Sequence, residues 1–405
     1  MDMNTVKRIE GGVTAPRGFL ASGVHAGIKA NRADMALIVS ERPAAVAGTF
    51  TLNKVHAAPV KLCRRHLAGR LAKAVVINSG SANACTGPQG MADAERTARL
   101  VAEALKTPAE TVFVCSTGTI GKPLPMDKIE AGVGLTVAAL SRQGGDAAAK
   151  AIMTTDTVDK QVAVEVTVAG VPVRIGGMAK GAGMIAPNMA TMLAFLTTDA
   201  AVDASALQRC LSAAVDKGFN RITVDGDQST NDTVLLLANG AAGNPALNER
   251  HPDWPAFAAA VEEVTLALAQ KIVKDGEGAT KFVTVTVKGA ASAGDARKAA
   301  RAIANSLLVK TSWFGGDPNW GRVIAAVGYS GAAVEQDQVE IAYDDLCVVR
   351  NGRAASGSSL KDLEAVLKRP AFELSVDLHL GTAADTVYTC DCSYDYVKIN
   401  SEYLT

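Results

Sequence analysis

One hydroxyl, that of Thr191, lies near the middle of an uncharged run that extends from Gly181 to Thr198. A small residue, Ala190, precedes it, and Lys180 is the last charged residue before the run. Threonine is a weak nucleophile until a base lies beside it, and a free α-amine on the same residue is one such base. The pattern therefore suggests a threonine that attacks the carbonyl before it, splits the chain and then acts as an N-terminal nucleophile.

Two structural interpretations of the same run compete with this one. A membrane span is disfavoured by Pro187, Asn188 and the threonines and glycines of the run, because unsatisfied polar groups are costly in hydrocarbon. A buried core strand is the interpretation that the composition alone favours over a catalytic segment. The composition of the run leaves the core strand and the nucleophile both open.

An acyl transfer to threonine needs hydrogen-bond donors for the oxyanion that forms. The segment FVCSTGTIG, Phe113 to Gly121, is an apolar strand that ends in a turn containing two glycines. Glycine lets the backbone approach a ligand closely, so the Gly118 N–H and the Thr117 hydroxyl are candidate donors. A turn with a purely structural role is the alternative for this segment.

Two charged residues are candidates for binding a substrate that carries both signs of charge. Lys180 lies at the border of the uncharged run, where it would hold a substrate carboxylate. Glu277 lies between two glycines just before a strand, where it would meet a substrate ammonium or assist proton transfer. For each of them a solvated surface position is the alternative.

The remaining polar motifs indicate no cofactor. Asp225, Asp227 and Asp232 in FNRITVDGDQSTND are spaced loosely like ligands of a hard cation, but the rest of a calcium-loop pattern is missing. Turn formation explains them better, and we expect no metal. Five histidines form no cluster, and neither a Walker loop nor GxGxxG follows a strand, so a nucleotide cofactor is not expected. The role of FGGDPNWGR, Phe314 to Arg322, stays open.

Composition narrows the class of protein. Lysine plus arginine and aspartate plus glutamate number 41 each, and only 4% of residues are aromatic, which disfavours nucleic acid as a partner. No apolar run follows the charges of the N-terminus, so no secretory signal or membrane partner is expected. Seven cysteines without a CxxC pair suggest a reduced compartment, and we expect a cytoplasmic enzyme.

The elements that must position these residues indicate a mixed α/β fold with substantial antiparallel pairing. Strand patterns at Val162–Val168 and Val171–Ile175 follow each other across a two-residue turn, which argues against a doubly wound parallel sheet. Helical patterns between other strands, such as the one capped by Asp203, would cover the sheets. A strand pattern from Val387 to Ile399 predicts that the C-terminal tail is anchored.

Seven motifs together resemble the ornithine acetyltransferases, the glutamate N-acetyltransferases of arginine biosynthesis. These motifs are CSTGTIG, MTTDT, KGAGMIAPNMATML, FNRITVDGDQSTND, DGEGATK, FGGDPNWGR and the terminal DYVKINSEYLT. They occur in the family's order from about Asn78 to the C-terminus. Ser81, Thr119 and Asp159 depart from the family pattern without touching a residue to which we assign a role.

The resemblance implies self-cleavage between Ala190 and Thr191. The products would be an α chain of residues 1–190 and a β chain of residues 191–405, folded together and assembled as an α2β2 heterotetramer. The implied fold is a layered helix–sheet sandwich with mixed and antiparallel sheets, distinct from the true N-terminal nucleophile hydrolases. Thr191 would be the nucleophile, and Thr117 and Gly118 the oxyanion hole. The implied substrate-binding residues are Thr154, Lys180, Thr191, Glu277, Asn400 and Thr405.

The reaction that the resemblance implies is transfer of an acetyl group from N2-acetyl-L-ornithine to L-glutamate through an acetyl-enzyme. Neither a cofactor nor a metal is needed, and the sequence does not decide whether acetyl-CoA also serves as a donor. An autoprocessed amidohydrolase or aminopeptidase that uses the same N-terminal threonine is the alternative enzyme. A binding protein in which Thr191 belongs to the core is the alternative without catalysis.

Overall fold

The computed structural model describes residues 6–186, 192–356 and 359–402. The chain divides into two compact units. Of the described residues, unit 1 comprises those up to 220 and residues 227–272, and unit 2 comprises residues 221–226 and those from 273 onward. Both units combine helices with a mixed sheet, which confirms the predicted α/β class.

Unit 1 is built on a sheet to which its described residues contribute nine strands. The strands are β1 Lys7–Ile9, β2 Phe19–Val24, β3 Met35–Phe50, β4 Leu71–Ser81, β5 Val112–Thr119, β6 Lys160–Val168, β7 Val171–Lys180, β8 Leu193–Thr198 and β9 Thr233–Ala238. The helices are α1 Ala58–Leu67, α2 Gly87–Leu105, α3 Met126–Ala138, α4 Gly145–Ala151, α5 Ala204–Lys217 and α6 Trp254–Lys274, whose last two residues fall in unit 2.

The order of strands in this sheet is β1-β6-β7-β8-β9-β3-β4-β5, with β2 paired to β3. The β4–β5 and β8–β9 pairs are parallel, and the other neighbours are antiparallel. The predicted hairpin of β6 and β7 across Ala169 and Gly170 is confirmed. Strand β8 is buried along its whole length. The core-strand interpretation of the uncharged run therefore holds from Leu193 onward.

Both faces of the sheet in unit 1 are buried around β4 and β5, which explains why these strands read as continuous apolar runs. Val75 of β4 and Phe113 of β5 belong to one hydrophobic cluster. Their neighbours Val76 and Val114 point to the opposite face and belong to another cluster, which includes Ala98 of α2. Polar side chains that could act on a ligand therefore lie at the ends of the strands of unit 1.

Unit 2 has its own sheet, to which its described residues contribute six strands in the order β13-β12-β11-β14-β10-β15. The strands are β10 Phe282–Ala290, β11 Glu340–Tyr343, β12 Leu346–Arg350, β13 Arg353–Ala354, β14 Ala371–Asp377 and β15 Ala383–Cys390. The helices are α7 Ala293–Asn305, α8 Leu307–Gly315, α9 Trp320–Tyr329, α10 Leu360–Leu367 and α11 Tyr394–Glu402. A separate core, which includes Val285, Ile303 and Leu374, fills this unit.

The strand predicted from Val387 to Ile399 is wrong beyond Cys390, because helix α11 begins at Tyr394. Ser393 precedes this helix, and its hydroxyl oxygen accepts the Tyr396 N–H at 3.4 Å, which is the geometry of an N-cap. The capping serine was the local signal for a helix, and the alternating apolar residues obscured it. Among the described residues, no helix is long and apolar enough to cross a membrane.

Candidate active site

The segment that carries the proposed nucleophile connects two antiparallel neighbours in the sheet of unit 1. Lys180, the last residue of β7, lies opposite Leu193, the first residue of β8. The predicted cleavage residues Ala190 and Thr191 lie outside the described residues. The described ends of the connection are well anchored, since Gly181 donates its N–H to Asp156 and Met192 accepts the Thr233 N–H.

The predicted oxyanion donors lie at the carboxyl end of β5, beside the parallel strand β4. Gly118 lies opposite Gly80 in the register, and their φ angles are +126° and +111°. A Cβ atom on Gly118 would lie 2.5 Å from the carbonyl carbon of Gly80, so the two backbones touch in a way that only glycine permits. Thr117 is half-buried, and its side chain makes no hydrogen bond to another described residue. Its hydroxyl is therefore available to a ligand.

Two predicted substrate-binding residues of unit 1 contact each other. The Lys180 ammonium donates to the Thr154 hydroxyl oxygen at 2.7 Å. Asp156 holds this pair in place, because it accepts the Thr154 N–H at 2.9 Å and lies 3.8 Å from the Lys180 ammonium. The arrangement presents one cation and one hydroxyl beside Gly181, where the nucleophile segment begins.

Asp156 is the centre of a buried charge cluster that the sequence analysis missed. Its carboxylate also accepts from Lys160 at 2.7 Å, and both side chains are fully buried. Burial alone would raise the pKa of Asp156, but the Lys180 and Lys160 ammonium groups and the Gly181 N–H hold that pKa well below its usual range. The MTTDT motif contains Asp156, but an aspartate among three threonines is typical of a turn in the sequence. Only the structure reveals the two buried lysines around Asp156.

The surroundings of Lys180 carry further positive charge. Lys29 donates to the carbonyl of Met153 at 2.9 Å, and Arg32 donates to the carbonyl of Thr154 at 2.8 Å. Burial, together with the nearby charges of Arg32 and Lys180, lowers the pKa of Lys29 to about 8. An anionic group is the natural ligand of such a region.

Two predicted substrate-binding residues of unit 2 also contact each other. Asn400, on helix α11, donates its side-chain amide to the Glu277 carboxylate at 2.8 Å. The turn that carries Glu277 packs on the start of α11, where the Ser393 hydroxyl donates to the Gly278 carbonyl at 2.6 Å. The tail is therefore anchored as predicted, although by a helix and not by a strand. Thr405 lies outside the described residues.

The aspartates of FNRITVDGDQSTND have separate roles. Asp225 accepts a hydrogen bond from the Tyr396 hydroxyl at 3.3 Å within unit 2. Asp232 is buried in unit 1, just before β9. Among the described residues, no group of three or more histidine, cysteine, aspartate or glutamate residues could hold a metal ion.

Comparison with known proteins identifies the family. A model of the ArgJ family matches residues 20–405. The arginine biosynthesis bifunctional protein ArgJ of Geobacter sulfurreducens is 56% identical over 390 residues, which cover 96% of this chain and 99% of that protein. The protein of the same name from Symbiobacterium thermophilum is 53% identical over 406 residues, which cover 98% of this chain and 99% of that protein.

A solved structure agrees with these relatives. The crystal structure of the arginine biosynthesis bifunctional protein ArgJ from Bacillus halodurans matches at 44% identity with a TM-score of 0.50. The match covers 98% of that chain but 52% of this one. The comparisons confirm the family that the motifs predicted, the acetyltransferases of arginine biosynthesis. The chain belongs to the ArgJ family.

Proposed function

We propose that the chain transfers an acetyl group from N2-acetyl-L-ornithine to L-glutamate through an acetyl-enzyme on Thr191. The observation that carries this proposal is the contact of Lys180 with Thr154 at the start of the segment that contains Thr191. Both substrates are amino acids with an α-carboxylate, and a fixed ammonium beside a hydroxyl is suited to bind it. Membership of the ArgJ family supports the same reaction.

The nucleophile is generated by self-cleavage between Ala190 and Thr191. The Thr191 hydroxyl attacks the Ala190 carbonyl, the peptide C–N bond breaks as the amine takes up the proton, and water then hydrolyses the resulting ester. The α chain has 190 residues and the β chain 215, the remainder of 405. Because β7 and β8 are paired on either side of the cut, the sheet would hold both chains together.

The solved relative supports one cut near the middle of the sequence. Its chain is covered almost completely by about half of the present chain, 52% of 405 residues or about 210. A β chain of 215 residues has nearly this length. The assembly that we propose for the two chains is an α2β2 heterotetramer.

Transfer then proceeds in two half-reactions. The α-amine of Thr191 accepts the hydroxyl proton as the oxygen attacks the acetyl carbonyl, and Thr117 and Gly118 donate to the oxyanion. The C–N bond of acetylornithine breaks, and ornithine leaves with the proton. The amine of glutamate attacks the acetyl ester in the same manner, which releases N-acetylglutamate and restores the threonine.

Each of the charged residues has its own proposed role in substrate recognition. Lys180 and Thr154 bind the α-carboxylate in unit 1. Glu277, oriented by Asn400, binds an ammonium group or assists the proton transfer. Thr405 completes the set that we propose for binding. The reaction needs no cofactor, although acetyl-CoA is a second candidate donor, and we propose the cytoplasm as its location.

The test is an assay of acetyl transfer with wild-type protein and with Thr191→Ala. We expect the wild type to form N-acetylglutamate only when both substrates are present, and the variant to remain one chain without activity. A Thr191→Ala protein that is still cut at the same bond would refute the mechanism. Release of acetate from acetylornithine at full rate without glutamate would instead establish the alternative amidohydrolase.

A further inference from the structure

The FNRITVDGDQSTND motif has no role in the reaction described so far, but two of its side chains reach the proposed machinery. Asn231 is buried, with 6% of its surface exposed. Its side-chain amide donates to the carbonyls of Ser116 and Ala82 at 2.8 and 2.6 Å. The Thr230 hydroxyl donates to the amide oxygen of Asn231 at 2.7 Å, which keeps the NH2 group directed at the two carbonyls.

These contacts fix the turn that carries the oxyanion donors. The Ser116 carbonyl and the Thr117 N–H belong to one planar peptide group, so a bond to the carbonyl sets the orientation of the whole plane. Ala82 follows β4, whose Gly80 lies against Gly118. Asn231 therefore ties together the ends of the two strands that shape the oxyanion turn.

Asp232, the next residue, hydrogen-bonds the backbone at Met192, where the described chain resumes after the nucleophile segment. Its carboxyl group accepts the backbone N–H of Met192 and hydrogen-bonds the hydroxyls of Ser229 and Thr51. The Met192 carbonyl accepts the Thr233 N–H at 3.1 Å, so both backbone groups of Met192 are bound by this short segment. Met192 is the residue that follows Thr191 in the sequence.

Burial is the largest influence on the Asp232 carboxyl group. Only 2% of the residue is exposed, and burial raises the pKa of its carboxyl group well above the usual range. The Thr51 hydroxyl, beside the Asp232 carboxyl group, donates to the Ser229 carbonyl at 2.9 Å. Asparagine has the same shape as aspartate and keeps an oxygen that can accept the Met192 N–H, so it should replace Asp232 with little change.

We propose that Asn231 and Asp232 are positioning residues that set the nucleophile against its oxyanion donors. Asn231 contacts the Thr117 turn and Asp232 contacts the Met192 backbone. Because the two residues are adjacent, with Cα atoms about 3.8 Å apart, they connect these two segments. This inference rests on the proposed function, since it takes Thr191 as the nucleophile and the Thr117 turn as the oxyanion hole. It assigns to the motif a mechanical role in place of metal binding.

The experiment compares Asn231→Ala with a matched control, Asn244→Ala. Asn244 is also 6% exposed in unit 1, and its amide also donates to two carbonyls, those of Ala201 and Pro245. A displacement of about 1 Å at a catalytic centre lowers the rate roughly 100-fold. We expect Asn231→Ala to lose about that factor in kcat with KM unchanged, and Asn244→Ala to keep the wild-type kcat at a similar loss of urea stability.

Asp232 is tested by the pair Asp232→Ala and Asp232→Asn. The alanine variant should lose kcat as Asn231→Ala does, and the asparagine variant should recover most of that loss. If both alanine variants fail to fold, Thr230→Val removes only the donor that orients Asn231, and it should lower kcat several-fold. Rates in the folded variants equal to those of the Asn244→Ala control would overturn the inference.

The outcomes also separate this inference from the proposed function. If wild-type protein forms no acetyl-enzyme, the proposed function fails, and with it the premise of the positioning role. If wild-type protein forms the acetyl-enzyme and Asn231→Ala forms it at the same rate, only the positioning role fails.

Discussion

Replacing Asp156 by asparagine tests the buried cluster that holds Lys180. The change removes one negative charge and keeps the shape of the side chain. The fully buried Lys160 ammonium, 2.7 Å away, loses its ion pair with Asp156. Removing one partner of a buried ion pair costs about 3–5 kcal/mol. Asparagine also offers one acceptor oxygen where the carboxylate serves two backbone donors, Thr154 and Gly181. We therefore expect the free energy of unfolding to fall by at least about 3 kcal/mol.

The assay is urea unfolding of Asp156→Asn beside a matched control, Asp199→Asn. Asp199 is also fully buried and also accepts two backbone N–H groups, those of Arg17 and Arg174, but its ion-pair partner is the half-exposed Arg17, at 3.9 Å. The difference between the two variants isolates the contribution of the buried ion pair between Asp156 and Lys160. Adding Lys160→Met to Asp156→Asn should recover part of the lost stability. Equal losses in Asp156→Asn and the control, or a further loss in the double variant, would refute the reasoning.

The same variant has a pH signature. A carboxyl group whose pKa is lowered by folding stabilises the folded state above its unfolded pKa and loses that contribution as the pH falls. The stability difference between wild type and Asp156→Asn should therefore be constant above about pH 5 and shrink as the pH falls below about 4. A difference that stays constant on acidification would contradict the lowered pKa.

Three further predictions concern the site. Gly118→Ala should lower kcat by about 100-fold or more, because its Cβ would displace the oxyanion turn. Gly121 also has a positive φ but has open space around it, so Gly121→Ala should lower kcat far less. Steady-state kinetics of the two variants measures the difference in kcat. Lys29 loses its charge as the pH rises through about 8, so the KM of the wild type for glutamate should rise in this pH range. Lys29→Met should have a high KM that does not change over the same pH range. Asn400→Ala should raise KM roughly tenfold, since Glu277 loses a charge-assisted hydrogen bond, and an unchanged KM would argue against the pair.

Local patterns predicted most of the fold. The β6–β7 hairpin follows from alternation around a two-residue turn, and β8 follows from an apolar run. The C-terminal segment was misread because alternating apolar residues outweighed the capping signal of Ser393. The division into two units could not be predicted, since unit 2 takes residues 221–226 from the middle of the sequence through long-range packing.

The sequence indicates candidate residues for the site but not the contacts between them. The pairs Lys180 with Thr154 and Glu277 with Asn400 join residues that are 26 and 123 positions apart, and only the fold brings them into contact. Asp156 gave no signal of its own because its partners are buried lysines, which composition treats as surface residues. The roles of the site residues stay proposals.

The acetyl-enzyme on Thr191 is the central claim, and intact mass after mixing with N2-acetylornithine, without glutamate, tests it most directly. The account predicts two chains, of which only the one that begins at Thr191 gains an acetyl group, and it predicts that glutamate removes this group as N-acetylglutamate. A single chain of 405 residues, or ornithine released at full rate with neither chain acetylated, would contradict it.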